Sequence, residues 1–486
     1  MNSELARLGG LAGALGLAAL ILAPSRAWRR GSLAAWVVGC GALAISLAPS
    51  GHHRAYAAAA LAGSLAALLL GLLFVKVPWS LTAAVLACAP ARIPVSIGST
   101  KANLLLPLYV VVAGAVVALA WEYLRHEPPE RDRRDLGICA WPAALLVGWL
   151  GVGLLWTDGS KALRAGAVDL LFYVLPLGVL AVALARLSWR SDWVKWLYIQ
   201  LAAMAVAFAA IGVDQYLTRN IYWNPKVAFD NALAPVGWFY RVNSIFYDPS
   251  IYGRFLVVGI LASLVLVLFG RDGAAFTAAG VAAITLIGLL PSFSQSSFVA
   301  LAVGVAVALV VLWRTRAALP LIAAVAALAL VTLGVPQLRH RVIGHAGAAR
   351  ITSSRSVLVS TGVKIAIHHP VIGVGTGGFV TAYAAEKHRN GGHASHDAPI
   401  TVAAENGIPG LALLLWLLGA VFVLPFRQNR GASATDRARL AFGLGLVAIV
   451  VHSLFYSALL EDPLFWSLLA LSAVALREPA PEPKPA

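Results

Sequence analysis

Charge is what this chain has least of. Of its 486 residues only 12% are charged, where soluble domains carry about 25%, and mean hydropathy is +0.81. So few ionisable side chains exclude an ordinary water-soluble enzyme. Acids are scarcer than bases, 21 Asp and Glu against 37 Lys and Arg, for a formal charge of +16. That excess could suggest nucleic acid, yet no basic face or recognisable binding module accompanies it. Cysteine is sparse too. Cys40, Cys88 and Cys139 each lie inside an apolar run, where thiols behave as small hydrophobes, so they make neither a disulfide framework nor a CxxC metal pair. A basic region ahead of the first apolar run, Gly9–Pro24, is missing as well, and further apolar runs follow it. We read it as a first helix, not a cleaved signal peptide.

What remains is hydrocarbon. Apolar runs near the roughly 20 residues needed to cross a bilayer recur from end to end. After the first they fall near 33–49, 55–74, 80–96, 103–124, 139–156, 166–186, 195–213, 251–270, 274–292, 296–313, 317–335, 408–425, 440–459 and 463–477. The expected fold is an all-α polytopic transmembrane bundle of about 13–15 spans. It divides into N-terminal helices (1–213), a first outer loop (214–250), central helices (251–335), a large outer loop holding short helices (336–407), C-terminal helices (408–477) and a proline-rich tail (478–486).

Short loops rich in Arg and Lys stay in the cytoplasm. SRAWRR, HEPPERDRRD, WRTR and RQNRGASATDRAR fall on one side of the span count, so both long loops are expected to face outward. The tail REPAPEPKPA is then cytoplasmic and disordered in character. The second long loop breaks the charge rule, as long translocated loops do. Pro336 to Pro399 holds seven of the eleven histidines, five arginines and two lysines against only Glu386 and Asp397. An anionic ligand at the outer face would account for those cations.

In the first loop, Tyr222, Trp223, Trp238, Phe239, Tyr240 and Phe246 suit either an interfacial aromatic belt or stacking on a sugar. Arg241, among apolar neighbours, must find an anionic partner or snorkel outward. Asp248-Pro249 reads as a helix start, with Asp capping free amides and Pro in the first turn. Arg254, one turn on, is either a second anion ligand or a snorkelling cation. In the second loop, HHPVIGVGTGGF lets the backbone turn sharply at Gly373 and Gly375, either to cradle a phosphate or simply to join two helices. It lacks the lysine of a P-loop. In His393-Ala-Ser-His396-Asp397, an imidazole beside a carboxylate suits a general base. A zinc pair at His393 and His396 is weakly supported by spacing alone, and Ser395 beside His396 lacks triad geometry. No metal or other cofactor is expected.

Taken in order, Arg355, His369-Pro370-Val-Ile-Gly373-Val-Gly375, Phe379, Tyr383, His396-Asp397 and Glu405-Asn406-Gly407-Ile-Pro-Gly410 resemble the signature of the O-antigen ligase/polymerase superfamily. These are integral membrane glycosyltransferases of the GT-C type. The resemblance runs over roughly 238–470 and includes Arg241 ahead of Asp248-Pro249. Asp397 stands where the family usually has Asn, and Gln295 where an arginine is common. The first eight spans carry no usable motif.

The resemblance implies metal-independent, inverting transfer of a glycan from a polyprenyl-diphosphate carrier to an acceptor hydroxyl, at the outward face of the plasma (inner) membrane. Arg241 and Arg355 would stabilise the diphosphate leaving group and His396 would deprotonate or align the acceptor. Arg254, Gly373, Gly375, Asp397 and Glu405 would contact substrate. The partners implied are the carrier-linked glycan, a glycan or lipid acceptor, the bilayer and other envelope-polysaccharide assembly proteins. Two other classes stay open, a permease for an anionic solute and a non-catalytic assembly scaffold. Permeases place ionisable groups or broken helices near the midplane, whereas here the ionisable residues gather in the outer loops.

Overall fold

The computed structural model describes residues 2–48, 53–97, 100–125, 135–187, 191–232, 240–270, 272–313, 345–387, 397–426, 433–456 and 458–476. The chain begins with α1 (Ser3–Leu22), α2 (Arg26–Leu47), α3 (His53–Lys76) and the short α4 (Ser80–Cys88). An antiparallel hairpin follows, β1 (Ile93–Ile97) with β2 (Thr100–Leu104), Ile93 facing Leu104. Next come α5 (Leu106–Arg125), α6 (Ala140–Gly153), α7 (Ser160–Asp169), α8 (Leu175–Ala185), α9 (Ser191–Thr218), α10 (Pro225–Ala232), α11 (Pro249–Phe269), α12 (Asp272–Leu289) and α13 (Gln295–Trp313). The chain ends with α14 (His345–His368), α15 (Phe379–Lys387), α16 (Ala398–Val423), α17 (Ala434–Ser453) and α18 (Pro463–Ala475).

The fold is all-α apart from the hairpin. Among the described residues eight helices are long and apolar enough to span a bilayer, from Ser3–Leu22 to Ala398–Val423. One expected span is corrected. The run 80–96 does not cross: α4 stops at Cys88, and the chain turns through Pro90 and a buried Arg92 into the hairpin. Two prolines and a cation in that run oppose a continuous helix. The expected span 317–335 lies outside the described residues.

Polar side chains stitch the two ends of the bundle. At the basic-loop end, Arg26 and Arg30 donate to Tyr123 O, and Arg186 pairs with both Glu122 and Asp135. At the other end, Arg7 donates to Leu155 O and Thr157 O, both at 3.0 Å. Between these ends the apolar core forms two main clusters. The larger joins α1, α2, α5 to α8, α16 and α18, and the second wraps α11 with α9, α13 and α17. Asp169, Arg254 and Glu405 lie on helices of both groups.

Three helices start alike. Asp248, Asp397 and Asp462 are the N-caps of α11, α16 and α18, each accepting a first-turn amide and each followed by proline at the first or second helical position. The Asp248-Pro249 helix start expected from sequence is therefore present.

Candidate active site

The HPVIGVG segment is bolted to a break in α16. At Gly407 the backbone leaves the helix, with φ +66°, and Pro409 follows. A side chain at Gly407 would lie 2.5 Å from Val371 O, so both the left-handed conformation and the close approach require glycine. The freed groups are paired across the break. Ile408 N donates to Pro370 O at 2.7 Å, Gly375 N to Glu405 O at 2.9 Å and Val374 N to Ala404 O at 3.0 Å. On the far side Trp149 Nε1 donates to Asn406 O, and Trp156 Nε1 to Ile372 O. Thr376 Oγ1 lies 2.8 Å from Leu150 O and 3.0 Å from Asn406 Oδ1. The segment thus locks the end of α6 to the middle of α16.

This glycine-rich turn does hold a carboxyl group, and it belongs to the protein. The Glu405 carboxylate accepts the Phe379 amide at 3.0 Å and also the Gly377 amide. It thereby caps the N-terminus of α15, where free amides and the helix dipole favour negative charge. Gly373 and Gly375, expected to contact substrate, donate their amides to His369 O and Glu405 O. Their geometry supports the docking of the turn.

Ten residues before the break, Asp397 accepts the Ile400 amide at 3.0 Å while Thr401 Oγ1 donates to Asp397 O. Burial pushes the Asp397 carboxyl above its usual range and the Ile400 amide opposes that shift. His396 itself, with His393, lies outside the described residues. Arg355 falls on α14, but its side chain is also outside the described set. Arg241 is half-buried. Its backbone is held by Asn231 and its Nε donates to Ser292 O at 3.2 Å.

Arg254 does not snorkel. It is buried and forms an ion pair of 2.7 Å with Asp462, the two side chains being 3% and 2% exposed. Nearby, Arg92 Nη2 donates to Glu461 O at 3.0 Å. Asp169 is an electrostatic neighbour of both Glu461 and Glu405. It ends α7 just before a five-residue π-helical turn, Leu170–Val174, a distortion common near functional sites. Below them His452 Nε2 lies 3.0 Å from Ser296 Oγ and 3.1 Å from Ser250 O.

Sequence reasoning passed over Arg92, Asp169, Glu461 and Asp462. Arg92 and Asp169 interrupt apolar runs, which is itself the signal of a functional or paired intramembrane charge, while Glu461 and Asp462 fall between two runs. Asp462-Pro463 also repeats the dipeptide of Asp248-Pro249.

Helices of this length and hydropathy, enclosing paired charges, define a multi-pass membrane protein. The O-antigen ligase family profile matches residues 280–415, which supports the resemblance to the O-antigen ligase/polymerase superfamily and to a membrane enzyme of that type. The matched stretch contains Arg355, Gly373, Gly375, His396, Asp397 and Glu405, while Arg241 and Arg254 precede it. No curated protein matches the chain.

Proposed function

We propose that the protein transfers a glycan from a polyprenyl-diphosphate carrier to an acceptor hydroxyl at the outward face of the plasma membrane, as an inverting, metal-independent glycosyltransferase of cell-surface polysaccharide synthesis. The observation that carries this reading is the O-antigen ligase match over the stretch holding Arg355, His396 and the Glu405 clamp. The buried cations near the candidate site are already engaged, Arg254 by Asp462 at 2.7 Å and Arg92 by Glu461 O at 3.0 Å. The charge that develops on a departing diphosphate must then be met by cations nearer the outer loops, and Arg241 and Arg355 fill that role as planar, bidentate donors. His396 takes the proton of the acceptor hydroxyl as its oxygen attacks the anomeric carbon and the bond to the diphosphate oxygen breaks. Asp397, Glu405, Gly373 and Gly375 act at one remove, holding the backbone that presents His396. Arg254, tied to Asp462, belongs to the floor of the site.

The permease reading has one observation in its favour, the break in α16 beside buried charge, since transporters place ligands at such breaks. Here the break is filled by the protein's own Pro370–Gly375 turn, and Glu405 accepts amides of that turn and of α15. The enzyme reading therefore stands first.

The test is extraction of carrier-linked glycan from cells expressing variants, beside a membrane transfer reaction with and without chelator. His396→Ala should lower transfer by about 10²–10⁴-fold, the usual cost of losing a general base, and carrier-linked glycan should accumulate. Arg241→Ala and Arg355→Ala should each lose at least about tenfold, as expected for a charge-assisted contact. Normal transfer by His396→Ala would overturn the mechanism, and abolition by chelator would revive a metal at His393 and His396.

A further inference from the structure

A cavity lies at the opposite end of the bundle from the candidate active site. It measures about 520 Å³ and is walled by α4, α9, α11, α12, α17 and α18. Along α11 its lining runs from Val258 to Leu266, about 12 Å at 1.5 Å per residue. That is a little under half of the roughly 30 Å hydrocarbon thickness of a bilayer. The cavity is therefore confined to one leaflet. Two of its walls, α9 and α12, are the least covered of the long apolar helices, at 22% buried each.

The walls demand nothing polar. Thr82, Thr277 and Ser467 each donate their hydroxyl to a carbonyl a turn or less behind them, and Tyr198 is matched with Ser263 at 3.1 Å. What a ligand meets there is aliphatic and aromatic surface, such as Leu201, Phe442 and Leu468. The mouth is different. Lys195 and Arg437 line it, at the starts of α9 and α17. Near the same helix ends lie Arg186 and Arg439, with Asp192 and Asp436. Both of these arginines are committed elsewhere, Arg186 to Glu122 and Asp135, and Arg439 to Asp436 at 3.3 Å. Lys195 is exposed, and among the described residues Arg437 donates from Nη1 to Phe269 O.

We infer that this cavity is a binding site for an anionic phospholipid, drawn from the leaflet on the side of the basic short loops. The acyl chain fills the apolar groove up to Leu464 and the phosphate pairs with Lys195 and Arg437. The placement of the cations selects the occupant. A polyprenyl-diphosphate bound at the outer-loop end would present its anionic head away from this mouth, and a zwitterionic lipid would bring its own cation towards Lys195 and Arg437. The roof at Leu464 adjoins Asp462, the partner of Arg254, so the bound chain also packs beneath the floor of the candidate active site.

The full-length protein should be purified in mild detergent and its retained lipid identified by mass spectrometry. It should also be reconstituted in nanodiscs of phosphatidylcholine with or without phosphatidylglycerol for thermal unfolding. Phosphatidylglycerol should be retained through purification and should raise the unfolding midpoint relative to phosphatidylcholine alone. Lys195→Gln, which removes only an exposed head, should lower that retention about fivefold, the usual contribution of one basic residue near an anionic lipid surface. Ala262→Phe, which fills the groove, should abolish retention while the protein stays folded. Equal retention of both phospholipids, unchanged retention in both variants, or retention of a polyprenyl phosphate in place of phosphatidylglycerol would each overturn the assignment. None of these readouts depends on glycan transfer, so the site and the proposed reaction fail or stand separately.

Discussion

α11 and α16 both begin at an Asp cap with proline in the first turn, and both carry one acidic or basic side chain about two turns or less inside, yet they treat that group in opposite ways. α11 is unbroken, so the Arg254 guanidinium finds its counter-charge on another element, Asp462 at the start of α18, 2.7 Å away. α16 is broken at Gly407, and Glu405 is met by backbone amides of Gly377 and Phe379. The difference teaches a rule for charge inside this bundle. An intact helix has no spare backbone donors and must borrow a side chain from afar, whereas a break brings loop amides within reach of the charge.

The comparison can be broken most severely at α11. Arg254→Ala should destabilise by about 3–5 kcal/mol, because it strands Asp462 as a buried, unpaired charge. The double variant Arg254→Leu with Asp462→Asn should recover most of that loss, Asn keeping the cap while removing the charge. Thermal unfolding in detergent would show both effects. A mild single variant would mean that water or lipid headgroups, not Asp462, solvate the arginine.

A smaller loss is expected at the break in α16. Gly407→Ala would force a residue with a Cβ into φ +66° and against Val371 O, at about 1–3 kcal/mol. The associated structural readout is release of the Pro370–Gly375 turn, seen as protease cleavage between α14 and α15. Cleavage unchanged from the native chain would show that the turn is held without the break.

The smallest effect should come from Asp397→Asn. Asn and Asp cap helices almost equally, so stability should move by no more than a few tenths of a kcal/mol. The variant also restores the residue usual in the O-antigen ligase/polymerase pattern. Transfer activity is then the informative measurement. An unchanged rate would mean that Asp397 serves as a cap alone, and a changed one that its carboxylate also acts on His396.

Much of the fold was legible without coordinates because lipid imposes a one-dimensional code. Apolar runs of spanning length and the Asp-Pro helix starts are local features, and α1, α2, α5, α9, α11 and α12 follow them. The run 80–96 was misread because hydropathy averages over Pro90 and Arg92, which end α4 and admit the hairpin. At the site, the chemistry-bearing residue types stood out by their motif, but their tasks did not. The glycine-rich turn could have served a phosphate as well as its own chain. Only the docking of the turn on the α16 break shows that the amides of residues 373–378 already have acceptors.

The sequence by itself determined that this is a helical membrane protein with an O-antigen ligase-like segment, since hydrophobic length and motif order are properties of the chain alone. The tertiary structure decided where its interior charges go. Arg254 and Asp462 are 208 residues apart in the chain (462 minus 254) and meet as an ion pair. Glu405 finds its donors 26 and 28 residues upstream, at Phe379 and Gly377. Pairings of that range depend on which helices become neighbours, because a buried charge is satisfied by whatever lies within hydrogen-bond distance in space.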